Sequence, residues 1–203
     1  MIENIVITRS CVITESKAIL DGAIVFDHPA PQASAFLTAL YKDMRVNYPK
    51  FYKMDHLSKL GFLAGELIFT DPSIRRAYPD DEVAIILYNA NSSLDADQQY
   101  YQTVSDIASP ALFLYTLPNI LIGELCIRHG IKGENTFFLE EEFNAKRLKE
   151  YVSILLEQEI AKACLCGWVD YLDDTYKACL LWVECNKEGT MFSVDTINTI
   201  YNQ

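Results

Sequence analysis

Val83-Ala84-Ile85-Ile86-Leu87-Tyr88 is an uninterrupted apolar run of strand length. A strand with one face in water alternates apolar and polar residues, because successive side chains point to opposite faces. This run does not alternate, so it predicts a strand that is covered on both faces, as in the interior of a sheet between helices. The segment therefore favours an α/β fold.

Patterns on either side of this run predict further strands and helices. Apolar residues at three- to four-residue spacing predict helices, and short β-branched runs predict strands. The predicted elements are strands over 4–13, 136–139, 161–172 and 176–184 and helices over 34–41, 55–70, 144–158 and 193–201. Strands that alternate with helices indicate a layered α/β domain.

The segment 111–127 is the most membrane-like part of the chain. It is interrupted by Thr116, Pro118, Asn119 and Glu124, and it is shorter than the roughly 20 apolar residues that a spanning helix needs. A buried strand, a turn and a helix are expected here instead. The chain is therefore not expected to enter a membrane.

The composition excludes other classes of protein. The 203 residues are enough for one domain, and a hydrophobic content of 50% is enough to bury a core. With 17 Lys and Arg against 28 Asp and Glu, the formal net charge is −11. An acidic chain repels phosphate backbones, so nucleic acid is not expected as a partner.

Six cysteines lie inside apolar runs rather than at the spacings of a disulfide framework. They are interpreted as reduced thiols, which predicts a cytoplasmic protein. The Cys164-x-Cys166 pair lacks the further ligands of a zinc site, because His28, His56 and His129 all lie far upstream. Buried structural thiols are expected, with no metal and no cofactor.

Three short polar motifs are interpreted as structural. Asp170, Asp173 and Asp174 lack the glycine and final Glu of a calcium loop, so a polar hairpin turn is expected. Gly130-Ile131-Lys132-Gly133 is too short for a phosphate-binding loop and is expected to join a helix to a strand. Glu140-Glu141-Glu142 precedes a predicted helix, whose dipole stabilises nearby carboxylates.

Five segments, in order, resemble the N-terminal half of the β-ketoacyl synthases, which have the thiolase fold. The segments are Asn4–Thr8 (first strand), Tyr52–Leu60 (Lys-Met-Asp helix start), Val83–Asp95 (strand and serine-rich exit), Ser109–Glu124 (Ser-Pro, Pro-Asn and Gly) and Gly130–Gly133 (Gly-Leu-Arg-Gly). The resemblance covers about residues 4–185. It implies a three-layer thiolase-like half domain with a mixed sheet between helices, and a single β-ketoacyl synthase N-terminal-like domain over residues 1–203.

The resemblance also shows where this sequence departs from the family. There a nucleophilic cysteine follows the last glycine pair, at the end of a short strand and at a helix N-terminus, which activates the thiol. Counting from Gly133 places Glu142 at or near that position, and no cysteine lies between Ile127 and Ala163. The family's catalytic histidines and lysine lie in a second half that has no counterpart here. The resemblance therefore implies no catalytic residue in this chain.

These departures imply a non-catalytic ketosynthase-like accessory protein of a fatty-acid- or polyketide-type pathway. The family's chain-length factors lack the cysteine and pair with an active ketosynthase. A full-length ketosynthase, an acyl carrier protein or a second copy is therefore the expected partner, giving a homo- or hetero-oligomer. The acidic chain disfavours an acidic carrier, although a local basic patch of Lys146, Arg147 and Lys149 is a candidate contact.

The resemblance further implies an interface. Within the family, the strand before the nucleophile pairs across the dimer axis, and here that strand is residues 136–139. Phe137 and Phe138 are therefore interface candidates. The alternative is that both rings belong to the chain's own core.

Two other functions remain open from the sequence. One is an acyl-transfer enzyme with a relocated nucleophile, in which Cys126, Cys164 or Cys166 meets His129 or His56. The other is a module that binds an apolar ligand in a pocket lined by the membrane-like segment described above.

Overall fold

The computed structural model describes residues 4–105 and 107–203, in which eight strands form one mixed sheet. The strands are β1 Ile5–Thr14, β2 Lys17–Leu20, β3 Ala23–Asp27, β4 Val83–Asn89, β5 Asn135–Leu139, β6 Ala163–Leu172, β7 Thr175–Cys185 and β8 Thr190–Met191. Their order is β3-β2-β1-β7-β6-β4-β5, and β8 pairs with β1. β4 runs parallel to β5 and β6, whereas the remaining neighbours are antiparallel. The mixed sheet confirms the prediction.

Strand β4 is buried along its whole length, as its apolar run predicts. Ile85 and Leu87 belong to a hydrophobic core on one face of the sheet, and Ala84 and Ile86 belong to a second core on the other face. The absence of alternation in the sequence thus has a direct physical cause, because neither face of this strand contacts water.

Helices cover both faces of the sheet. They are α1 Ala33–Asp43, α2 His56–Ile68, α3 Pro72–Arg76, α4 Leu94–Val104, α5 Pro110–Leu114, α6 Ile120–His129, α7 Ala145–Glu157 and α8 Val194–Tyr201, with 3-10 helices at Pro49–Lys53 and Asp80–Glu82. Buried side chains of α1, α2 and α6 lie in the first core, and those of α7 and α8 lie in the second. This is the predicted arrangement of three layers with the sheet in the middle.

Helix α2 is the main helix of the first layer. Asp55 caps it by accepting a hydrogen bond from the Ser58 backbone N–H at 3.1 Å, as expected for an Asp before an apolar periodic segment. Gly61 allows α6 to approach closely, since a Cβ at this position would lie 2.5 Å from Leu121 Cδ1. Close contact between α2 and α6 completes the cover over this face.

The segment 111–127 differs from its prediction. No strand forms there, because Ser109 and Pro110 begin the short helix α5, and Ser109 Oγ accepts from the Leu112 N–H at 3.3 Å. No residue of α5 is buried, whereas α6 buries Leu121, Ile122 and Leu125. Within the described ranges, no helix is long and apolar enough to cross a bilayer.

The two predicted turns are confirmed. β6 and β7 form an antiparallel hairpin in which Asp173 and Asp174 have φ values of 50° and 64°. Positive φ at both central positions matches the twist of a two-residue hairpin. Gly130 ends α6 with a φ of 65° in the left-handed region, and residues 130–133 join this helix to β5.

Candidate functional site

The carboxyl ends of β4, β5 and β6 lie at one edge of the sheet, because these strands are parallel. Asn89 closes the exit of β4 by accepting from the Ser92 N–H at 3.0 Å and donating to the Ser92 carbonyl at 2.8 Å. Asp170 of β6 accepts from the backbone N–H groups of Ala90 and Asn91 at 3.1 and 3.0 Å. The Asp170 carboxylate thus fixes a loop from within β6, so its role is structural, but it lies outside the hairpin turn in which it was expected.

Strand β5 forms one end of the sheet among the described residues. Ile85 N–H donates to the Glu134 carbonyl at 2.9 Å, and Glu140 N–H donates to the Asn89 carbonyl at 3.0 Å. In a parallel ladder the backbone groups of alternate residues face the same neighbour. The even-numbered residues of β5 therefore face β4, and the N–H groups of Phe137 and Leu139 point outward along the free edge.

The rings of Phe137 and Phe138 lie on opposite faces of β5. Phe137 packs against the first core. Phe138 stacks on Tyr88 with ring centroids 4.9 Å apart and meets Tyr151 edge-on at 5.0 Å. Both rings are half-buried in the chain's own structure, whereas Leu139 is 56% exposed. The alternative of a core role therefore has direct support, and a role for these rings in an interface stays a prediction.

The turn from β5 to α7 holds Glu142, whose side chain is exposed. Two residues later, Asn144 caps α7 by accepting from the Arg147 N–H at 3.1 Å. Phe143 stacks on Tyr201 of α8 with ring centroids 3.9 Å apart. The turn is thus anchored by packing and capping, and Glu142 extends from it into solvent.

The charge around this turn is mostly acidic. Glu140 forms an ion pair with Arg147, while Glu141 and Glu142 have no ion pair within the described part of the chain. A cavity of about 280 Å³ adjoins the turn. Its lining residues are Tyr88, Phe138, Glu140, Arg147, Glu150, Tyr151 and Ile154. This surface presents carboxylates and aromatic rings, and no thiol lines it.

All six cysteines are free thiols, and Cys11, Cys164, Cys166 and Cys179 are buried. Burial raises the pKa of Cys166 far above its usual value, with a further contribution from the neighbouring Cys164, and raises the pKa of Cys179 to about 12. Burial also raises the pKa of the half-buried Cys126. Cys126, Cys166 and Cys179 are therefore protonated at neutral pH and are poor nucleophiles.

His56 and His129 lie beside carboxylates rather than thiols. His56 Nδ1 lies 3.0 Å from Asp95 Oδ2, and the His56 ring stacks on Tyr171 at 4.7 Å. His129 Nε2 lies 3.3 Å from Glu66 Oε1. Across residues 4–105 and 107–203, no thiol hydrogen-bonds to an imidazole, and no group of three or more His, Cys, Asp or Glu side chains is placed to hold a metal.

Comparisons by sequence find no related protein, whereas comparisons by structure find several. No family model matches the chain, and no curated protein matches it. The ishigamide ketosynthase/chain length factor superposes on 93% of this chain with a TM-score of 0.67, at 15% identity. The chain has a ketosynthase-like, thiolase-type fold. This confirms the fold that the resemblance implies.

Further ketosynthase structures share this ketosynthase-like fold. One is AntDE:AntF, a type II PKS acyl-carrier protein in complex with its ketosynthase bound to the hexaketide, with a TM-score of 0.63, 13% identity and 90% of this chain covered. Another is the ketosynthase ApeO in complex with its chain length factor ApeC from Xenorhabdus doucetiae, with a TM-score of 0.60, 12% identity and 98% covered. The chain spans 64% and 62% of the first two matched chains and 90% of the third.

The sequence did not predict two features of this chain. The N–H of Leu139 points outward because the even-numbered residues of β5 bond to β4, and no residue pattern in the sequence indicates which residues do so. The pairing of His56 with Asp95 joins residues 39 positions apart, and its only local signal is that both lie at helix starts.

Proposed function

We propose that this chain is a non-catalytic ketosynthase-like accessory protein that associates with a ketosynthase-type partner in a fatty-acid- or polyketide-type pathway. The observation that carries the proposal is the turn between β5 and α7, where the resemblance expects a nucleophilic cysteine. This turn holds the exposed Glu142. A carboxylate is a far poorer nucleophile toward a thioester than a thiolate, so this position does not support acyl transfer.

The electrostatics of the turn support the same proposal. A malonyl group carries a negative charge, and Glu141 and Glu142, which form no ion pair with any residue that the structure describes, lie beside the place where it would react. At about 4 Å, two like charges near a protein surface repel by roughly 4 kcal/mol at an effective dielectric constant of 20. A site built this way repels the extender unit of a condensation reaction.

The free edge of β5 is the proposed contact with the partner. Its outward N–H and C=O groups can pair with a further strand, which is a common mode of association. A strand related to β5 by a two-fold axis would run antiparallel to it. The exposed Leu139 side chain adds apolar area at the same place.

A second surface that supports association is the pair of helices α4 and α5. They pack on one another through Tyr100 and Phe113, whose ring centroids are 5.4 Å apart. Exposed large apolar side chains are concentrated in and around this pair. They are Leu94, Tyr101, Val104, Ile107, Phe113, Leu114 and Leu117. Exposed apolar side chains in such number are typical of a protein contact surface.

A ketosynthase-type chain is favoured over a carrier protein as the partner. The structures that share the fold include a ketosynthase with its chain length factor and a ketosynthase with an acyl-carrier protein. The carrier contact predicted from Lys146, Arg147 and Lys149 is weakened here, because Arg147 pairs with Glu140 and Lys146 lies 3.8 Å from Glu150. With a net charge of −11, the chain repels an acidic carrier.

An acylation experiment tests the non-catalytic role. The full chain is incubated with acyl- and malonyl-thioesters and its intact mass is measured, with a cysteine-dependent ketosynthase as the positive control. The mass is expected to stay unchanged while the control gains one acyl group. A stoichiometric acyl adduct that maps to Cys126, Cys164 or Cys166 would instead establish the relocated-nucleophile enzyme.

The apolar-ligand alternative has less support from the structure. In the segment 111–127, the buried side chains of α6 fill the first core, and Phe113, Leu114 and Leu117 face solvent. Native mass spectrometry of the purified protein distinguishes the two functions. A co-purified lipid at one equivalent would favour the binding module, and its absence would favour the accessory role.

A further inference from the structure

A basic cavity lies on the opposite face of the sheet from Glu142, between the ends of α2 and α6 and the helix α3. Its volume is about 270 Å³, which is too small for a drug-sized ligand but large enough for a small ion with several waters. The lining residues are Glu66, Phe69, Pro72, Arg75, Arg76, Arg128 and His129. Three guanidinium groups therefore surround this cavity with one carboxylate, in a chain whose net charge is −11.

Arg75 holds the inner wall of the cavity. Its guanidinium group is buried and donates to the Tyr78 carbonyl at 2.9 Å, to Asp80 Oδ1 at 2.8 Å and to the Gly130 carbonyl. The Nε of the same side chain is buried and has no hydrogen-bond partner among the residues that the structure describes. Buried donors in proteins almost always have a partner, so the Nε of Arg75 is available to a polar group bound in the cavity.

Arg128 and Arg76 form the outer part of the cavity. Arg128 donates from Nε and Nη2 to the two Glu66 oxygens, both at 2.7 Å, and its Nη1 makes no hydrogen bond within residues 4–105 and 107–203. Arg76 is exposed and has no hydrogen bond or ion pair with any residue that the structure describes. After pairing with Glu66 and Asp80, the cavity still has unneutralised positive charge at Arg76.

His129 adds a neutral imidazole beside Glu66 to the wall. Its Nε2 is buried and lies 3.3 Å from Glu66 Oε1, with no hydrogen bond of good geometry to any residue that the structure describes. Burial, followed by the charges of Arg128 and Arg75, lowers the pKa of His129 to about 3, so the ring is neutral at pH 7. A neutral imidazole adds no charge to the cavity but can donate one hydrogen bond to an anion.

We propose that this cavity binds a phosphate-class oxyanion through Arg76 and the free Nη1 of Arg128, with the fixed charge of Arg75 behind it. Guanidinium groups match the geometry of a phosphate group and form charge-assisted hydrogen bonds to its oxygens. The Glu66 carboxylate also lines the cavity, and it is already neutralised by Arg128. The site is independent of the proposed accessory function, because it involves neither β5 nor Glu142.

Titration of the full chain with inorganic phosphate, followed by calorimetry and ³¹P NMR at constant ionic strength, tests the proposal. Saturable one-site binding is expected. The variant Arg76→Gln is expected to weaken it by about tenfold or more, as for the loss of a charge-assisted contact. Arg76 is chosen because it is exposed and unpaired, so its replacement does not disturb the fold.

The matched control is Lys146→Gln, which removes the same charge from α7 on the other face of the sheet. It is expected to leave the phosphate affinity within about twofold. A second titration with O-phosphoserine identifies the source of the anion. If O-phosphoserine binds more tightly than inorganic phosphate, the ligand is a phosphoryl group on a larger molecule. If it binds more weakly, the ligand is the free ion. No saturable binding of either compound, or equal losses in both variants, would overturn the proposal.

Discussion

The direction of the backbone groups in β5 predicts opposite effects for two proline substitutions three residues apart. Leu139→Pro removes an N–H that points away from β4, so no hydrogen bond of the sheet is lost. Thr136→Pro removes an N–H that faces β4 and leaves a carbonyl of that buried strand without a partner. Thr136→Pro thus tests the contribution of β5 to folding stability, and Leu139→Pro tests whether a partner strand pairs with its free edge.

The expected magnitudes follow from burial and hydrogen bonding. Leu139 is 56% exposed and proline is tolerated on an edge strand, so Leu139→Pro should change the free energy of unfolding by no more than about 1 kcal/mol. Thr136→Pro should cost about 3 kcal/mol, since it adds an unsatisfied buried carbonyl to the lost bond. Urea unfolding followed by circular dichroism measures both values.

Association should respond in the opposite sense. In Leu139→Pro, a strand docked on β5 loses one N–H donor and meets a proline ring. The free energy of binding should weaken by about 1–3 kcal/mol, which lowers the affinity for the partner roughly 5- to 150-fold. Leu139→Thr keeps the N–H and serves as the matched control, with an affinity within a few-fold of the wild type. Equal partner affinity for Leu139→Pro and Leu139→Thr, measured by interferometry, would refute docking through this edge.

Three further predictions concern reactivity and stability. At pH 7, a thiol reagent should modify the half-buried Cys126 and Cys185 slowly and leave the four buried thiols unmodified until urea unfolds the chain. Rapid labelling of a buried thiol in the folded protein would contradict this prediction. The pKa of His129 falls from 6.5 to about 3 on folding, so the free energy of unfolding should decrease as the pH drops below 6.5, by about 2 kcal/mol at pH 5. In His129→Gln this dependence of stability on pH should be lost, as measured by urea titrations at pH 7 and 5. Gly167→Ala should destabilise the fold by about 3 kcal/mol, since its Cβ would lie 1.9 Å from the Cys179 carbonyl oxygen. In Gly123→Ala the added Cβ has no neighbour within 4 Å and lies in a helix, so this variant should stabilise the fold by roughly 0.5–1 kcal/mol. Thermal unfolding measures both effects.

Much of the fold was predictable because its signals are local. The unbroken apolar run of β4, the Asp55 cap of α2 and the Asp-Asp turn between β6 and β7 each reflect burial or backbone geometry within a few residues. The error at 111–127 has the same origin. Its apolar residues suggest burial, but Ser109 and Pro110 begin a short helix whose apolar side chains remain on the surface.

The site was less predictable, because its features depend on contacts between distant segments. The resemblance predicts that Glu142 lies near the nucleophile position, and this stays a prediction, whereas the half-burial of Phe138 depends on Tyr88 and Tyr151. The basic cavity joins arginines from α3 and α6, more than 50 residues apart, and no sequence motif connects them. Such clusters are visible only after the chain has folded.

Affinity capture of the tagged full chain from its native extract, with quantitative mass spectrometry, tests the accessory role most directly. We expect recovery of a ketosynthase that carries its own nucleophilic cysteine, near one equivalent, and loss of this ketosynthase when Leu139→Pro is the bait. Recovery of the ketosynthase with Leu139→Thr completes the comparison. A bait that captures no ketosynthase and forms an acyl adduct on its own thiol would contradict the account.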